Sequence, residues 1–235
     1  MNWESLLSAY PDETAAILRA KKLREILSGH LDSMEIPVVD ASWKEVGLKQ
    51  FIEKLAPICS KAWRSYSGSE PAFSMKDVLD ACVKGAPIPE MKEADAGALD
   101  VIINDAFSLF LNRLRIKNSS EMPASWDQGF CPFCNASPHI AFDSETGREL
   151  FCPMCGHSWR FRRFKCSVCG NTDHLTLGYF QAEGIEGARV TFCRKCNSYL
   201  KVIDLKVRAV EDYETEDTLS LELDKLAAEE GFTCG

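Results

Sequence analysis

The chain has 235 residues, which is enough for one large domain or two modest domains, each with its own core. No apolar run reaches the roughly 18 residues that a membrane-spanning helix needs. The first ten residues show no basic region before an apolar stretch, so we expect no secretory signal and a cytoplasmic location.

The net charge of -8 is spread unevenly along the chain. Residues 127–210 carry 11 Lys and Arg against 8 Asp and Glu, or +3, whereas residues 211–235 carry one Lys and nine acids, or -8. A nucleic-acid-binding domain normally shows a strong basic excess on its contact surface. The charge distribution therefore argues against nucleic acid as the partner.

Residues 1–117 have the periodicity of helices, with apolar residues at three- and four-residue steps. The first apolar stripe follows Asp12, a residue suited to capping a helix. A second stripe begins at Ser42, which would form a capping box with Glu45. Pro57 lies inside this second stripe and should kink or divide the helix, because proline lacks an N–H donor and clashes with the preceding turn.

A shorter helix should begin at Ser74 and end at Gly85, and a long helix should follow it. The apolar side of the long helix consists of Leu99, Ile103, Phe107, Phe110 and Leu114. The period is lost over residues 118–126, where polar residues surround Pro123. The sequence therefore predicts a helical domain at residues 1–117 and a linker at residues 118–126.

Beyond the linker the periodicity becomes that of strands. Two hairpins are predicted, one around the turn at residues 144–147 and one around Gly184 and Gly187. We expect a strand at residues 157–165 to link them and a strand at residues 198–207 to follow. The sequence therefore predicts a first metal-knuckle ribbon at 127–162, a second at 163–210 and an acidic C-terminal helix at 211–235.

Four Cys-x-x-Cys pairs fall within this part of the chain. The pairs are Cys131 with Cys134, Cys152 with Cys155, Cys166 with Cys169, and Cys193 with Cys196. Each pair is followed at once by Asn or Gly, which tolerate the positive φ angle that a metal knuckle needs after its second cysteine. The eight cysteines are therefore predicted to ligate two metal ions as two four-sulfur sites.

The four Cys-x-x-Cys motifs can combine into two four-sulfur sites in two ways. The sequential arrangement joins the first pair to the second and the third to the fourth, and we favour it because each hairpin closes the intervening loop at low entropic cost. The interleaved arrangement is the alternative.

Four tetrahedral thiolates suit either Zn²⁺ or a rubredoxin-like iron, and the sequence does not distinguish the two metals. A site with four protein sulfurs has no open position for a water nucleophile, so we expect no hydrolytic catalysis. A structural role is favoured, with redox-active iron or a labile sensing site as alternatives. Dithiol exchange is disfavoured because the pairs lie between strands, away from the helix N-terminus that would lower a thiol pKa.

Aromatic and basic residues alternate between the second and third cysteine pairs. Trp159, Arg160, Arg162 and Arg163 are the candidate partner-binding residues of this segment. Such a pattern could also contact a nucleic-acid backbone, with aromatic side chains stacking on bases. We favour a strand that is buried or faces a protein partner.

The motifs together resemble the formate dehydrogenase accessory protein FdhE family over about residues 130–232. They are Cys131-Pro-x-Cys134, Cys152-x-x-Cys155 followed by Trp159, Arg163-x-Lys165-Cys166, Cys193-x-x-Cys196-x-x-Tyr199-Leu200-Lys201 and Glu229-Glu230-Gly231-Phe232. The resemblance implies a helical N-terminal domain ahead of two rubredoxin-like knuckle units, with the eight cysteines as metal ligands and no catalytic residue.

The resemblance also implies a function. It implies that the chain, like members of that family, supports the assembly or activation of molybdenum- or tungsten-dependent formate dehydrogenases and contacts the catalytic subunit. We therefore expect an α+β protein with a helical N-terminal domain, two small rubredoxin-like or zinc-ribbon β units and a C-terminal helix. Its expected role is a non-enzymatic maturation factor for that subunit, and homo-oligomer formation is left open. A zinc-ribbon nucleic-acid-binding protein and a rubredoxin-like redox protein are the alternatives.

Overall fold

The computed structural model describes residues 1–39, 49–88, 92–119, 123, 125–181 and 184–235. The chain divides into two compact units. The helical unit is Asp12–Glu121, and the sheet unit combines Met1–Pro11 with Met122–Gly235. The boundary near residue 121 falls within the segment that the sequence predicts as a linker.

The described residues of the helical unit form four α-helices. They are α2 (Thr14–Asp32), α3 (Lys49–Ser67), α4 (Met75–Lys84) and α5 (Glu93–Lys117). Helix α5 packs against α2 and α3, and α4 packs against α3. Their shared core is formed by buried residues of the predicted stripes, including Leu27, Leu31, Phe51, Leu55, Val78, Leu99, Phe110 and Leu114. Within the described residues, no helix combines the length and apolarity needed to cross a bilayer.

The helix ends follow local capping chemistry. The Ser74 side chain accepts a hydrogen bond from the Asp77 backbone N–H at 3.3 Å, and Gly85 ends α4 with a φ of 64°. Both ends of this helix confirm the prediction. The prediction that Asp12 caps α2 is wrong, because Glu13 occupies that position and makes no side-chain cap, while Asp12 lies in a short 3-10 turn before the helix.

Helix α3 continues through Pro57 as one undivided element. Proline removes a single backbone donor. Ile52 and Leu55 before it and Cys59 after it are buried, so burial of the apolar stripe on both sides offsets that loss. The predicted capping box of Ser42 lies outside the described residues.

Asn118 fixes the C-terminal end of α5 within the helical unit. Its side-chain amide donates to the carbonyl oxygens of Leu114 at 2.8 Å and Pro37 at 3.1 Å, and its side-chain oxygen accepts from the Val39 N–H at 2.9 Å. The residue is 2% exposed. The first position of the predicted linker is therefore a buried part of this unit.

Helix α1 (Trp3–Ala9) belongs to the sheet unit, although the sequence places it with the other helices. The Asn2 backbone N–H donates to the Thr215 hydroxyl at 2.5 Å, and the Tyr10 hydroxyl donates to the Thr218 carbonyl oxygen at 3.0 Å. These contacts are separated by more than 200 residues in the chain, so periodicity along the sequence carries no sign of them.

The sheet unit is built on one seven-stranded mixed sheet. Its strands are β1 (Ile140–Ser144), β2 (Gly147–Phe151), β3 (Ser158–Phe161), β4 (Leu177–Phe180), β5 (Ala188–Cys193), β6 (Ser198–Asp204) and β7 (Thr233–Cys234). The order is β3-β2-β1-β6-β5-β4, with β7 also pairing with β6. Both predicted hairpins are present, but they are joined in one sheet because β6 pairs in parallel with β1. The α+β class is confirmed.

Two helices cover one face of this sheet. Helices α6 (Tyr213–Leu219) and α7 (Leu221–Glu229) replace the single acidic helix expected from the sequence. The Tyr213 ring stacks on Phe142 with centroids 3.6 Å apart. The buried residues of this face are Ile140, Phe142, Phe151, Ala188, Val190, Tyr199, Ile203, Leu223 and Ala227.

Lys201 anchors these acidic helices to the sheet. The residue is 1% exposed, and its Nζ lies 2.8 Å from a carboxylate oxygen of Asp217 and 2.8 Å from one of Asp224. The Tyr199 hydroxyl donates to the other oxygen of Asp224 at 2.7 Å. The tail is not simply a solvated acidic surface, because two of its carboxylates hold a buried cation.

Candidate metal centres

The eight knuckle cysteines gather into two groups of four. The first cluster is Cys131, Cys134, Cys152 and Cys155, and the second cluster is Cys166, Cys169, Cys193 and Cys196. Within each cluster all four sulfurs lie within 4.8 Å of one another. The sequential pairing is confirmed and the interleaved one is wrong, because hairpins β1–β2 and β4–β5 bring consecutive pairs together.

The sulfur spacing fits a tetrahedral metal site. The Sγ–Sγ distances across the knuckles are 3.5 Å for Cys131–Cys155, 3.4 Å for Cys134–Cys152, 3.6 Å for Cys166–Cys196 and 3.8 Å for Cys169–Cys193. Four sulfurs at about 2.3 Å from one ion would lie about 3.8 Å apart. A disulfide would require about 2.05 Å. Each cluster could therefore hold one metal ion.

The backbone of every knuckle has the predicted left-handed residue. The φ angles are 62° at Asn135, 66° at Gly156, 69° at Gly170 and 57° at Asn197. At the first three of these positions the N–H donates to the carbonyl oxygen of the first cysteine of the pair, at 3.0 to 3.1 Å. This closed turn directs both sulfurs of a pair to the same side, which is what a shared ion requires.

Hydrogen-bond donors surround the sulfurs as well. The Cys155 N–H donates to Cys152 Sγ at 3.4 Å, and the Cys169 N–H donates to Cys166 Sγ at 3.5 Å. Donors of this kind stabilise thiolates and orient metal ligands.

Two side chains near the second cluster were missed by sequence reasoning. The Asn171 amide donates to Cys193 Sγ at 3.5 Å, and the Ser198 hydroxyl lies 3.0 Å from Cys196 Sγ. Both are the second residue after the last cysteine of a knuckle. A polar residue at that spacing is the signal that could have found them.

The thiols of the first cluster shift one another's pKa values, and a bound cation would favour their ionised forms. The pKa of the Cys131 thiol is lowered because Cys134, Cys152 and Cys155 donate hydrogen bonds to its sulfur. The same interactions raise the pKa values of the Cys152 and Cys155 thiols, and burial adds to the rise. Ionisation of one thiol thus opposes ionisation of its neighbours, and a divalent ion would remove that opposition. The donor set fits such an ion.

The two clusters differ in their access to solvent. In the first cluster Cys131, Cys152 and Cys155 are buried, whereas in the second cluster Cys169 is exposed. An ion in the second cluster would therefore be the easier of the two for solvent and small molecules to reach.

The loop before the first cluster packs against the loop of the second. The Asp127 carboxylate pairs with Arg162 and with Lys165, whose Nζ also donates to the Asp127 carbonyl oxygen at 2.6 Å. Hydrogen bonds from both cations lower the pKa of Asp127. A Cβ on Gly129 would lie 1.7 Å from the Ser167 carbonyl oxygen, so the backbones are in close contact.

The candidate partner-binding side chains are dispersed. Trp159 is 6% exposed and donates from its indole to the Gln128 carbonyl oxygen, whereas Arg160 is exposed on the next position of β3. Arg162 pairs with Asp127, and Arg163 donates to the Ser144 carbonyl oxygen at 2.6 Å. A partner-binding role for these residues stays a prediction, with Arg163 placed beside the groove described below.

Comparison with known families agrees with the geometry. The family model described as "FdhE, C-terminal domain" matches residues 164–234, which contain the second cluster and both C-terminal helices. The chain is 37% identical over 112 residues to an FdhE homologue of Aquifex aeolicus, and 34% identical over 150 residues to one of Pasteurella multocida. These matches cover 46% and 60% of this chain but only 40% and 47% of the two relatives.

The chain thus spans less than half of the length of the curated relatives it matches. A solved structure, that of the FdhE protein from Pseudomonas aeruginosa, superimposes with a TM-score of 0.68 over 99% of this chain and 91% of that one, at 21% sequence identity. The likeness shows a shared fold. Residues 164–234 match the C-terminal domain of FdhE, and the chain is similar to FdhE proteins over that part.

Proposed function

We propose that the chain is a non-enzymatic accessory protein of a formate dehydrogenase. It binds the catalytic subunit of that enzyme in the cytoplasm and supports its assembly or activation. The observation that carries this proposal is the match of residues 164–234, which contain the second cluster, to the C-terminal domain of FdhE.

The metal sites support a binding role rather than a catalytic one. Each cluster presents four protein sulfurs to one ion, which leaves no coordination position for a substrate or a water nucleophile. An ion in each cluster would instead cross-link two knuckles and stabilise the folded chain. The eight cysteines of the two clusters are the metal ligands of this proposal, with Zn or Fe as the ion.

Co-purification from the native host tests the proposal. A tagged chain should retain the formate dehydrogenase catalytic subunit, and deletion of its gene should abolish formate-dependent activity while the subunit is still synthesised. Absence of association, together with unchanged activity in the deletion strain, would overturn it.

A redox role for the second cluster is the second candidate, because Cys169 is exposed and would give electron donors access to a bound iron. Anaerobically purified protein should then show a visible iron–thiolate band that bleaches reversibly on reduction. Colourless protein with two equivalents of zinc would exclude this role.

A further inference from the structure

A groove crosses the sheet face opposite helices α6 and α7. Its volume is about 690 Å³. The floor is formed by residues that are cross-strand neighbours in β4, β5 and β6, since Tyr179 lies opposite Thr191 and Thr191 lies opposite Leu200. The loop from Arg163 to Ser167 forms one wall. The groove is thus built from rigid sheet and from the knuckle of the second cluster.

The charged groups that line this groove are cations. Arg148, Arg163, Lys165 and Arg189 line it, and no Asp or Glu does so among the described residues. The Asp143 and Asp127 carboxylates pair with these cations, so four cationic side chains share two carboxylates before any metal-bound thiolate of the second cluster is counted. The side chains of Arg163 and Arg189 are 43% and 22% exposed, so both are partly accessible to solvent.

Exposed aromatic residues accompany the cations. Phe164 is 80% exposed and Tyr179 is 66% exposed, although both line the groove. Neither side chain is needed to fill the core at that exposure. Aromatic residues and arginine are the types enriched where proteins bind one another.

The groove also reaches a free strand edge. Strand β4 ends the sheet, and its outer side pairs with no other strand in the part of the chain that the structure describes. Its four residues, Leu177–Phe180, carry no charge that would repel an incoming strand. An exposed edge of this kind can accept an extended peptide through main-chain hydrogen bonds.

We propose that this groove binds an extended acidic segment of the partner polypeptide. Its carboxylates face Arg163, Lys165 and Arg189, and an apolar side chain between them packs against Phe164 and Tyr179. The proposal rests on the proposed function in one respect, namely that the partner is a polypeptide.

A nucleic acid fits this groove less well than a peptide. A nucleic-acid strand carries one charge per nucleotide along its whole length and needs a continuous basic track. Here the positive charge is confined to the groove and does not continue as a basic track, and the chain as a whole carries -8. The free strand edge adds main-chain donors and acceptors that suit a peptide backbone.

Selection from a random display library of twelve-residue peptides tests the ligand class without assuming the partner. Selected peptides should be rich in Asp and Glu around a Leu, Phe or Trp. Their affinity should fall at least tenfold with Phe164→Asp and with Tyr179→Asp. Val207→Asp is the matched control, because Val207 is 62% exposed in the same unit but does not line the groove, and it should change affinity less than twofold.

Metal content and circular dichroism of each variant check that the fold is retained, and Phe164→Ala with Tyr179→Ala provides a milder second pair. Peptides without acidic bias, or binding that is indifferent to both aromatic positions, would overturn the proposal. Salt-sensitive binding of a twenty-nucleotide poly-dT strand that is lost in the same variants would overturn it too, in favour of nucleic acid.

Co-purification of the catalytic subunit with the same variants separates this inference from the proposed function. If the Phe164→Asp variant fails to recover the subunit and the Val207→Asp variant recovers it, the result supports both the groove proposal and the proposed function. Equal recovery of the catalytic subunit by all variants overturns the groove proposal and leaves the proposed function standing. Acidic peptides that bind in the groove, with no recovery of the subunit by the unmodified chain and unchanged formate-dependent activity in the deletion strain, overturn the proposed function and leave the groove proposal standing.

Discussion

Asp143 and Arg148 lie directly opposite each other on β1 and β2 and form a bidentate ion pair, with distances of 2.9 and 3.1 Å. The two residues are 4% and 5% exposed. Arg189 of β5 and Arg163 of the loop after β3 also pair with this carboxylate. A single buried Asp therefore links strands from both hairpins and pairs with three of the arginines that line the groove.

Replacing Asp143 should destabilise the sheet unit strongly. Asp143→Ala leaves the buried Arg148 without its partner, and loss of one member of a buried pair typically costs about 3–5 kcal/mol. Urea unfolding measures the change. Glu145→Ala is the control, since the Glu145 side chain is 84% exposed, and it should change the free energy of unfolding by less than about 0.5 kcal/mol. Equal effects of the two substitutions would contradict a dominant role for the buried carboxylate.

The contribution of Asp143 should vanish only in acid. Burial alone would raise the pKa of this carboxyl, but Arg148, Arg189 and Arg163 bring it below its ordinary value. An acid with a depressed folded pKa adds stability above its unfolded pKa of about 3.9 and loses it as the pH falls through the folded value. The difference in unfolding free energy between the unmodified chain and Asp143→Asn should be constant from pH 8 to 5 and shrink below pH 4. A difference in unfolding free energy that already decreases between pH 7 and pH 5 would refute a depressed pKa for Asp143.

Lys201→Ala should release the C-terminal helices. It leaves the Asp217 and Asp224 carboxylates without their buried cation, so a loss of about 3 kcal/mol is expected. Hydrogen exchange should accelerate most in residues 213–229. Lys206→Ala, whose side chain is 55% exposed, is the matched control and should leave exchange unchanged. Uniform acceleration over the whole sheet unit would argue against a local anchoring role.

Gly129→Ala should separate the two knuckle loops. The added Cβ would lie 1.7 Å from the backbone oxygen of Ser167, which cannot move aside as a flexible side chain could. We expect destabilisation of about 1–3 kcal/mol, as for other overpacked sites. Gly29→Ala in α2 meets no atom within 4 Å and should instead stabilise by about 0.5–1 kcal/mol. Thermal unfolding of both variants should show shifts of opposite sign.

Cys152→Ser and Cys193→Ser should each lose one metal equivalent, from the first and the second cluster respectively. Structural metal binding supplies on the order of 10 kcal/mol to a small module, so each variant should unfold its own knuckle first. Elemental analysis and limited proteolysis provide the measurement. Cys82→Ser, at an exposed cysteine outside both clusters, should retain both metals. Unchanged metal content in both cluster variants would refute the assignment.

The knuckles could be predicted because they are local. The Cys-x-x-Cys spacing and the Asn or Gly after each pair specify a closed turn, and positive φ at Asn135 and Asn197 shows that the backbone adopts it. The helix stripes were predictable for the same reason, since burial repeats at helical steps. The roles of Asn171 and Ser198 were less accessible, because a single polar residue near a knuckle has many other uses.

The sequence alone determined the thiol donors and the α+β class and favoured the sequential grouping of the thiols, since each depends on residues close together in the chain. Only the tertiary structure decided that β6 would join the two hairpins into one sheet, that Lys201 would bury its charge against the acidic tail, and that a basic groove would lie beside Phe164 and Tyr179. These features depend on pairing and charge compensation between distant segments. Such interactions form only when packing brings the segments together, so periodicity along the chain leaves no trace of them.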